Sequence, residues 1–307
     1  MKAAVQRTIA FLPQPQKWNQ LFQEHVTRST HVDMARFEDH LRLDARHMDR
    51  FREFAPSLSP DGFTAFELGT GMHPILPLAL YLCGAREVWT YDIDPLLNMS
   101  RTQQTFDMLV ECHEGGDLGK LLPQARDDRM AHLRSIASGS WDDPQQMLGQ
   151  FGIRVVVGDA AESGLPASSV DSILSNSVFQ YISSEPLSAI LREFRRISTA
   201  EAVMSHDVHM WDQYSHIDQS ITPFNFLRFS SRVWRVINNP LIPLNRLRVS
   251  DYRQLLTSAG FEILEEVVEL GDRSDLGRVL LAPEFLGYSE NDLLTVAAWF
   301  VARPHGI

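Results

Sequence analysis

The 307-residue sequence has only two cysteines, Cys83 and Cys112, and no CxxC pair. This excludes a disulfide framework and a CxxC-type zinc module, and makes a reducing, cytoplasmic setting the expectation. No apolar run is long enough to span a bilayer. The N-terminal stretch carries Lys2 and Arg7 but is broken by Pro13 and Pro15, so no signal-peptide core is read and no membrane is expected as a partner. Positive charge is scarce: 28 Lys and Arg face 39 Asp and Glu, for a net charge of −11. Such a surface repels polyphosphate, and no Lys/Arg-rich run offsets it, so nucleic acid is not expected as a partner. Internal repeats and low-complexity tracts are absent too, which removes solenoid architectures.

What remains is ordinary globular material, 44% hydrophobic and 22% charged. The length suffices for a large core without metal or disulfide staples, whether in two domains or one enlarged α/β domain. Residues 16–55 are helix-compatible, and Met34, Phe37, Leu41, Met48, Phe51 and Phe54 recur at helical spacing. Residues 1–58 are therefore read as an N-terminal helical region, and Pro56–Asp61 ends it. Beyond, short apolar runs alternate with helical stretches: Phe63–Leu68, Glu87–Ile93, Ile153–Val157, Val170–Leu174 and Glu201–Ser205. Such alternation predicts βαβ units and a parallel sheet covered on both faces. A helix over Ser250–Ser258 and strands at Phe261–Val268 and Val296–Ala302 complete a second region, 59–307. Stretches 107–150 and 207–249 exceed a simple crossover and are expected to be insertions. The first would decorate an edge, whereas the second begins where an open parallel sheet binds ligands and would be a cap.

The chemistry begins at Glu67-Leu68-Gly69-Thr70-Gly71-Met72-His73-Pro74. Gly69 and Gly71 permit a tight turn that lets backbone approach a ligand, and Glu67 can accept from a cationic group. The third glycine of a dinucleotide fingerprint is missing. A GxG pair alone is equally compatible with a plain strand-to-helix turn. Some twenty residues on, Tyr91-Asp92-Ile93-Asp94 puts a carboxylate where a nucleoside presents its ribose hydroxyls. Asp92 is the first choice and Asp94 the alternative, with helix capping as the structural reading of either.

Val157-Gly158-Asp159-Ala160, then Leu165-Pro166 through Val170-Asp171 and on to Asn176, narrow the field. Over residues 60–305 the sequence resembles the class I S-adenosylmethionine (SAM)-dependent methyltransferases. Glu67-x-Gly69-x-Gly71 resembles their first motif, Asp92 their ribose acid, and Gly158-Asp159-Ala160 the loop whose acid meets the adenine amino group. Ala259-Gly260-Phe261 resembles the start of their terminal hairpin. Tyr181 stands where the family often has histidine. The resemblance implies a Rossmann-like α/β fold with a seven-stranded sheet, mostly parallel with the last strand antiparallel. It also implies SAM as cofactor, S-adenosylhomocysteine as product, and in-line methyl transfer. The cofactor-binding residues it implies are Glu67, Gly69, Thr70, Gly71, Asp92, Ile93, Asp159, Ala160 and Asn176.

The acceptor must be sought locally. Ser205–Asp218 holds three histidines and three aspartates and is expected to follow the fifth strand. His206, His209 and His216 are the candidate general bases, since a histidine near neutral pKa suits a hydroxyl acceptor. A satisfied polar loop and a divalent metal site stay open beside that reading. His206 and His209 at i, i+3 are no zinc signature, and no metal is expected. Arg228, Arg232, Arg235, Arg246 and Arg248, interleaved with aromatics, form either a lid reaching an anionic or polyhydroxylated acceptor or an ordinary packed cap. Trp18 and Phe22 would close the same pocket, or simply pack. The sequence thus leads to O-methylation of a small sugar-like or natural-product acceptor. N-methylation of an amine, a nicotinamide oxidoreductase and a non-catalytic subunit are the alternatives, and self-association stays open.

Overall fold

The computed structural model describes residues 32–306 apart from 60–61, 217, 219 and 239–242, and the side chain of His216 also lies outside it. Trp18, Phe22 and residues 16–31 of the expected helical region fall outside the described residues.

Seven strands form one sheet: β1 (Thr64–Leu68), β2 (Glu87–Asp92), β3 (Ile153–Val157), β4 (Val170–Asn176), β5 (Ser198–His209), β6 (Phe261–Leu270) and β7 (Thr295–Pro304). Their order is β3-β2-β1-β4-β5-β7-β6. β1 to β5 pair in parallel, and β7 runs antiparallel to both β5 and β6. This is the Rossmann-like sheet that the motifs imply. All seven strands lie where the apolar runs place them, with one consequential difference. β5 continues through His209 rather than stopping near Ser205, because β7 supplies a partner for each further residue as far as His209↔Ala297. The segment holding His206 and His209 is sheet, and the cap begins after it.

Side chains alternate across a strand, and this sorts the polar residues. Phe66, Tyr91, Ile173, Met204 and Val208 fall in the cluster on one face. Ala65, Val88, Leu174 and Val203 fall in the other cluster, together with helices α1 (Met34–Phe54) and α2 (Ile75–Leu82). α1 is part of this core. Asp33 caps its start by accepting from Arg36 N, and Phe37, Leu41, Met48 and Phe51 are buried along one stripe. Burying each such side chain contributes about 1.5–3 kcal/mol. Together they outweigh the several kcal/mol it costs to carry Asp44 and His47 inside on the same stripe.

Residues 107–150 form the second half of α3 (Met99–Glu114), then α4 (Asp127–Ala137) and α5 (Pro144–Gly149), joined through a short turn at Leu118–Leu121. α6 (Ser184–Ile197) connects β4 to β5 on the opposite face, where α8 (Val249–Ser258) also packs. The cap holds α7 (Ser231–Ile237) and packs through Phe224, Phe226, Leu227 and Leu244 against Leu276, Phe285 and Leu293 of the β6–β7 connection. Two of its arginines, Arg246 and Arg248, serve that packing, whereas Arg228, Arg232 and Arg235 are exposed. Arg248 is fully buried and donates to the carbonyls of Met210 at 3.0 Å, Asp292 at 3.1 Å and Thr295. Arg246 donates to the Phe226 and Phe229 carbonyls and pairs with Glu284. Arg248 ties the cap to the end of the β6–β7 connection through carbonyls that need donors, and Arg246 braces the cap internally and against Glu284.

Candidate functional site

The glycine turn leaves β1 at its carboxyl end. Gly69 and Gly71 both have positive φ, +86° and +65°, a region that side-chain-bearing residues adopt only at a cost. Their surroundings differ. A Cβ on Gly69 would lie 2.4 Å from Val178 Cγ2, whereas one on Gly71 would meet nothing within 4 Å. Gly69 is required by packing; Gly71 faces open space.

Asp92 ends β2 across from this turn. Its Oδ2 accepts from Gly71 N at 2.9 Å and its Oδ1 from Asp94 N at 3.1 Å. Burial pushes the carboxyl up, while the backbone donors from Gly71 and Asp94 oppose the shift. Each oxygen keeps a lone pair for a further donor. A cleft of about 230 Å³ opens here, lined by Thr70, Gly71, Asp92, Asp94, Leu97 and Asp143 among others. Asp143 and its neighbours Pro144 and Gln145 belong to the first insertion. That insertion was expected to decorate an edge; it supplies a wall of the cleft instead, because α5 starts directly above the ends of β2 and β3.

Glu67 is buried beneath the turn. The Thr90 hydroxyl donates to it, and the Thr70 hydroxyl meets that of Thr90. Burial raises its carboxyl well above the ordinary range, and the nearby Asp44 and Asp92 carboxylates raise it further. Ile93 is 70% exposed beside the cleft. Asp159 is exposed, and its carboxylate caps the turn Ala160–Glu162 through Ala161 N at 2.9 Å, with Ala160 buried behind it. Gly158 N donates to Asp92 O at 2.9 Å and ties the β3 end to the β2 end. Asp159 and Ala160 lie beside the cleft lining rather than in it.

Asn176 ends β4 and joins a network that local sequence does not announce. Its amide donates to Asp44 Oδ1 at 3.0 Å, and its carbonyl oxygen lies 2.8 Å from His47 Nε2. His47 Nδ1 in turn lies 2.8 Å from Ser205 Oγ, and the ring packs 4.4 Å from Trp299. Burial pulls His47 down to about 4, so it is neutral at physiological pH, and pushes Asp44 up to about 8. The signal was present in the sequence: Asp44 sits on the stripe formed by Phe37, Leu41, Met48 and Phe51, where an apolar residue belongs.

The candidate bases separate. His206 is fully buried on the face away from α1, stacked 4.3 Å from Phe179, with Nδ1 2.8 Å from Ser175 Oγ. Burial pulls it down to about 3. His209 lies on the α1 face, its side chain 37% exposed, with Nε2 3.4 Å from Asp207 Oδ2. Ser177 fixes Asp207 from the other side: its hydroxyl donates to Oδ2 at 2.9 Å and its N–H to the Asp207 carbonyl at 3.0 Å. Ser177 does this at φ +55°, an uncommon backbone state for a serine. Tyr181 accepts from the Gln213 amide. The backbone of His216 closes the turn Gln213–His216. No group of three or more potential metal ligands gathers among the described residues.

Residues 133–204, from within α4 into β5, match the family model of a methyltransferase domain. The matched segment spans under a quarter of the chain, and the strand order around it is similar to that of class I methyltransferases. No curated protein matches the sequence. Among solved structures, the methyltransferase in complex with the Haloferax volcanii Trm112 activator is 17% identical, with 88% of this chain and 96% of that chain covered and a TM-score of 0.43. The geranyl diphosphate C-methyltransferase of Streptomyces coelicolor is 11% identical, with 83% and 77% covered and a TM-score of 0.44. The [4+2]-cyclase SpnF is 14% identical, with 85% and 81% covered and a TM-score of 0.43.

Proposed function

We propose that the protein transfers the methyl group of SAM to a hydroxyl of a small-molecule acceptor. The observation that carries the reading is the cleft at Gly71 and Asp92, where a side-chain-free backbone faces open space beside a carboxylate with acceptor capacity left. The residues present fit the cofactor. Asp92 suits the ribose hydroxyls, Gly69, Thr70 and Gly71 suit the close passage of the ligand, and Ile93 offers an apolar surface for the adenine. Asp159 and Ala160 bound the adenine side, and Glu67 and Asn176 the methionyl side. When bound, SAM supplies an activated methyl group with a neutral thioether leaving group. The chain's own task is to align the acceptor and take its proton.

His209 is the residue we assign to that proton. It is the histidine on the α1 face of β5 with an exposed ring, and its Nε2 lies 3.4 Å from Asp207 Oδ2, which orients the ring. His206 has neither exposure nor an acid partner. An amine acceptor is the second reading, favoured by the Asp207 carboxylate beside His209. Labelled SAM incubated with the protein and fractions of a metabolite extract tests both. Label in an ether or in an N-methyl product decides between them, and no transfer with any fraction would sink the assignment as an enzyme.

A further inference from the structure

The motif residues account for Glu67 and Asp92 but not for a third carboxylate beside them. Asp44 projects from the middle of α1 and is 1% exposed. One oxygen accepts from Asn176 at 3.0 Å, and the other, Oδ2, has no hydrogen-bond partner among the described residues. The charges of Asp44 and Asp92 both act on Glu67. By strand alternation Glu67, Asp92 and Asn176 point to the face that α1 covers, so the free oxygen of Asp44 belongs to the same polar space.

An acid in that position works against the fold. It interrupts an apolar stripe, sits near the Glu67 carboxyl and leaves an oxygen without a partner in the interior, each of which is unfavourable. A cation placed between Asp44 and Glu67 reverses all three. It supplies the missing donor, offsets the mutual repulsion, and draws the carboxyl to its ionised form, which then binds more strongly than a neutral acceptor would.

We propose that Asp44 is a cofactor-binding residue that, with Glu67, receives the α-ammonium of the methionyl group of SAM. The inference rests on the SAM reading above. Ribose belongs at the end of β2 and adenine toward β3, so the amino-acid portion extends over β1 and β4, where Glu67 and Asn176 stand. Asp44 faces these two residues. In the same arrangement α1 closes the methionyl end of the site, and its neutral His47 fixes the Asn176 amide so that it donates to Asp44.

Calorimetric titration with three ligands tests the proposal without recourse to turnover. SAM and S-adenosylhomocysteine carry the α-ammonium, whereas 5′-methylthioadenosine keeps the nucleoside and thioether but lacks the amino-acid group. Asp44→Asn preserves an acceptor for Asn176 and removes the charge. The expected result is affinity for SAM and S-adenosylhomocysteine lowered about tenfold or more, by similar factors, with methylthioadenosine bound as by the parent. Unchanged affinity for all three overturns the proposal, and so does an equal loss for methylthioadenosine, which marks a general disturbance of the site. Asp44→Ser serves the same comparison if the asparagine variant does not fold. A parent protein that binds none of the three overturns the cofactor reading itself, and this inference with it.

Discussion

The two halves of the sheet's carboxyl edge assemble polar groups by opposite means. Over β1 and β2 a contiguous turn does the work: Gly69 packs on Val178, Gly71 faces the cleft, and Asp92 holds the turn from one strand away. Over β4 and β5 the polar groups come from far apart in the chain. Asp44 and His47 reach Asn176 and Ser205 across separations of 132 and 158 residues. The first half is committed locally by its own backbone. In the second, the Asp44–His47 contacts exist only while α1 stays docked, so a change there reaches the site through helix packing. The contrast separates what a contiguous motif can build from what needs a docked helix.

The largest effect expected is at the glycines, which separate packing from binding. Gly69→Ala places a methyl against Val178 at a positive φ and should destabilise the fold by about 2–4 kcal/mol. Gly71→Ala, with open space before it, should cost only about 1–2 kcal/mol in backbone terms while abolishing measurable SAM binding. Thermal melts with calorimetry compare the two, and equal destabilisation would erase the distinction.

His209→Ala tests the distant half. Turnover is expected to fall about a hundredfold, with the SAM dissociation constant unchanged. Full activity would remove the base assignment and leave His209 a surface residue. Asp92→Ala probes the local half more gently: both the proposed ribose contact and the tie to Gly71 N are lost, and SAM affinity should drop roughly tenfold to a hundredfold. Wild-type affinity in that variant would transfer the ribose role to Asp94.

The smallest effect is a pH dependence. Burial pushes Asp44 up to about 8, so the folded ligand-free chain retains a proton that the unfolded chain releases near pH 4. The stability tied to that proton is complete below about pH 4 and declines as pH rises toward 8. Asp44→Asn has no such proton to lose. Its melting temperature relative to the parent should climb across that interval and stand highest near pH 8. A difference that stays constant with pH would show that Asp44 is ionised in the fold or reaches solvent.

Much of this architecture could be read directly from residue order. Phe63–Leu68, Glu87–Ile93 and Ile153–Val157 are strands because short apolar runs bounded by turn residues have few other ways to be buried. Gly69, Gly71 and Asp92 were legible because they contribute through backbone geometry and near neighbours. Less was legible where a strand draws on distant partners. The length of β5 depends on β7, some ninety residues later, so His206 and His209 looked like neighbours in one loop. The wall at Asp143 and the pair Asp44–Asn176 likewise depend on how helices dock.

By itself, then, the sequence determined the strand succession, the glycine turn and the acid facing it, because each is settled by interactions spanning some twenty residues or fewer. The tertiary structure alone decided that His206 is sealed in the core while His209 meets Asp207, and that Asp44 meets Asn176. Those outcomes follow from which face of a strand a residue occupies and which helix covers that face. Neither is fixed until the sheet is complete and α1 has packed on it.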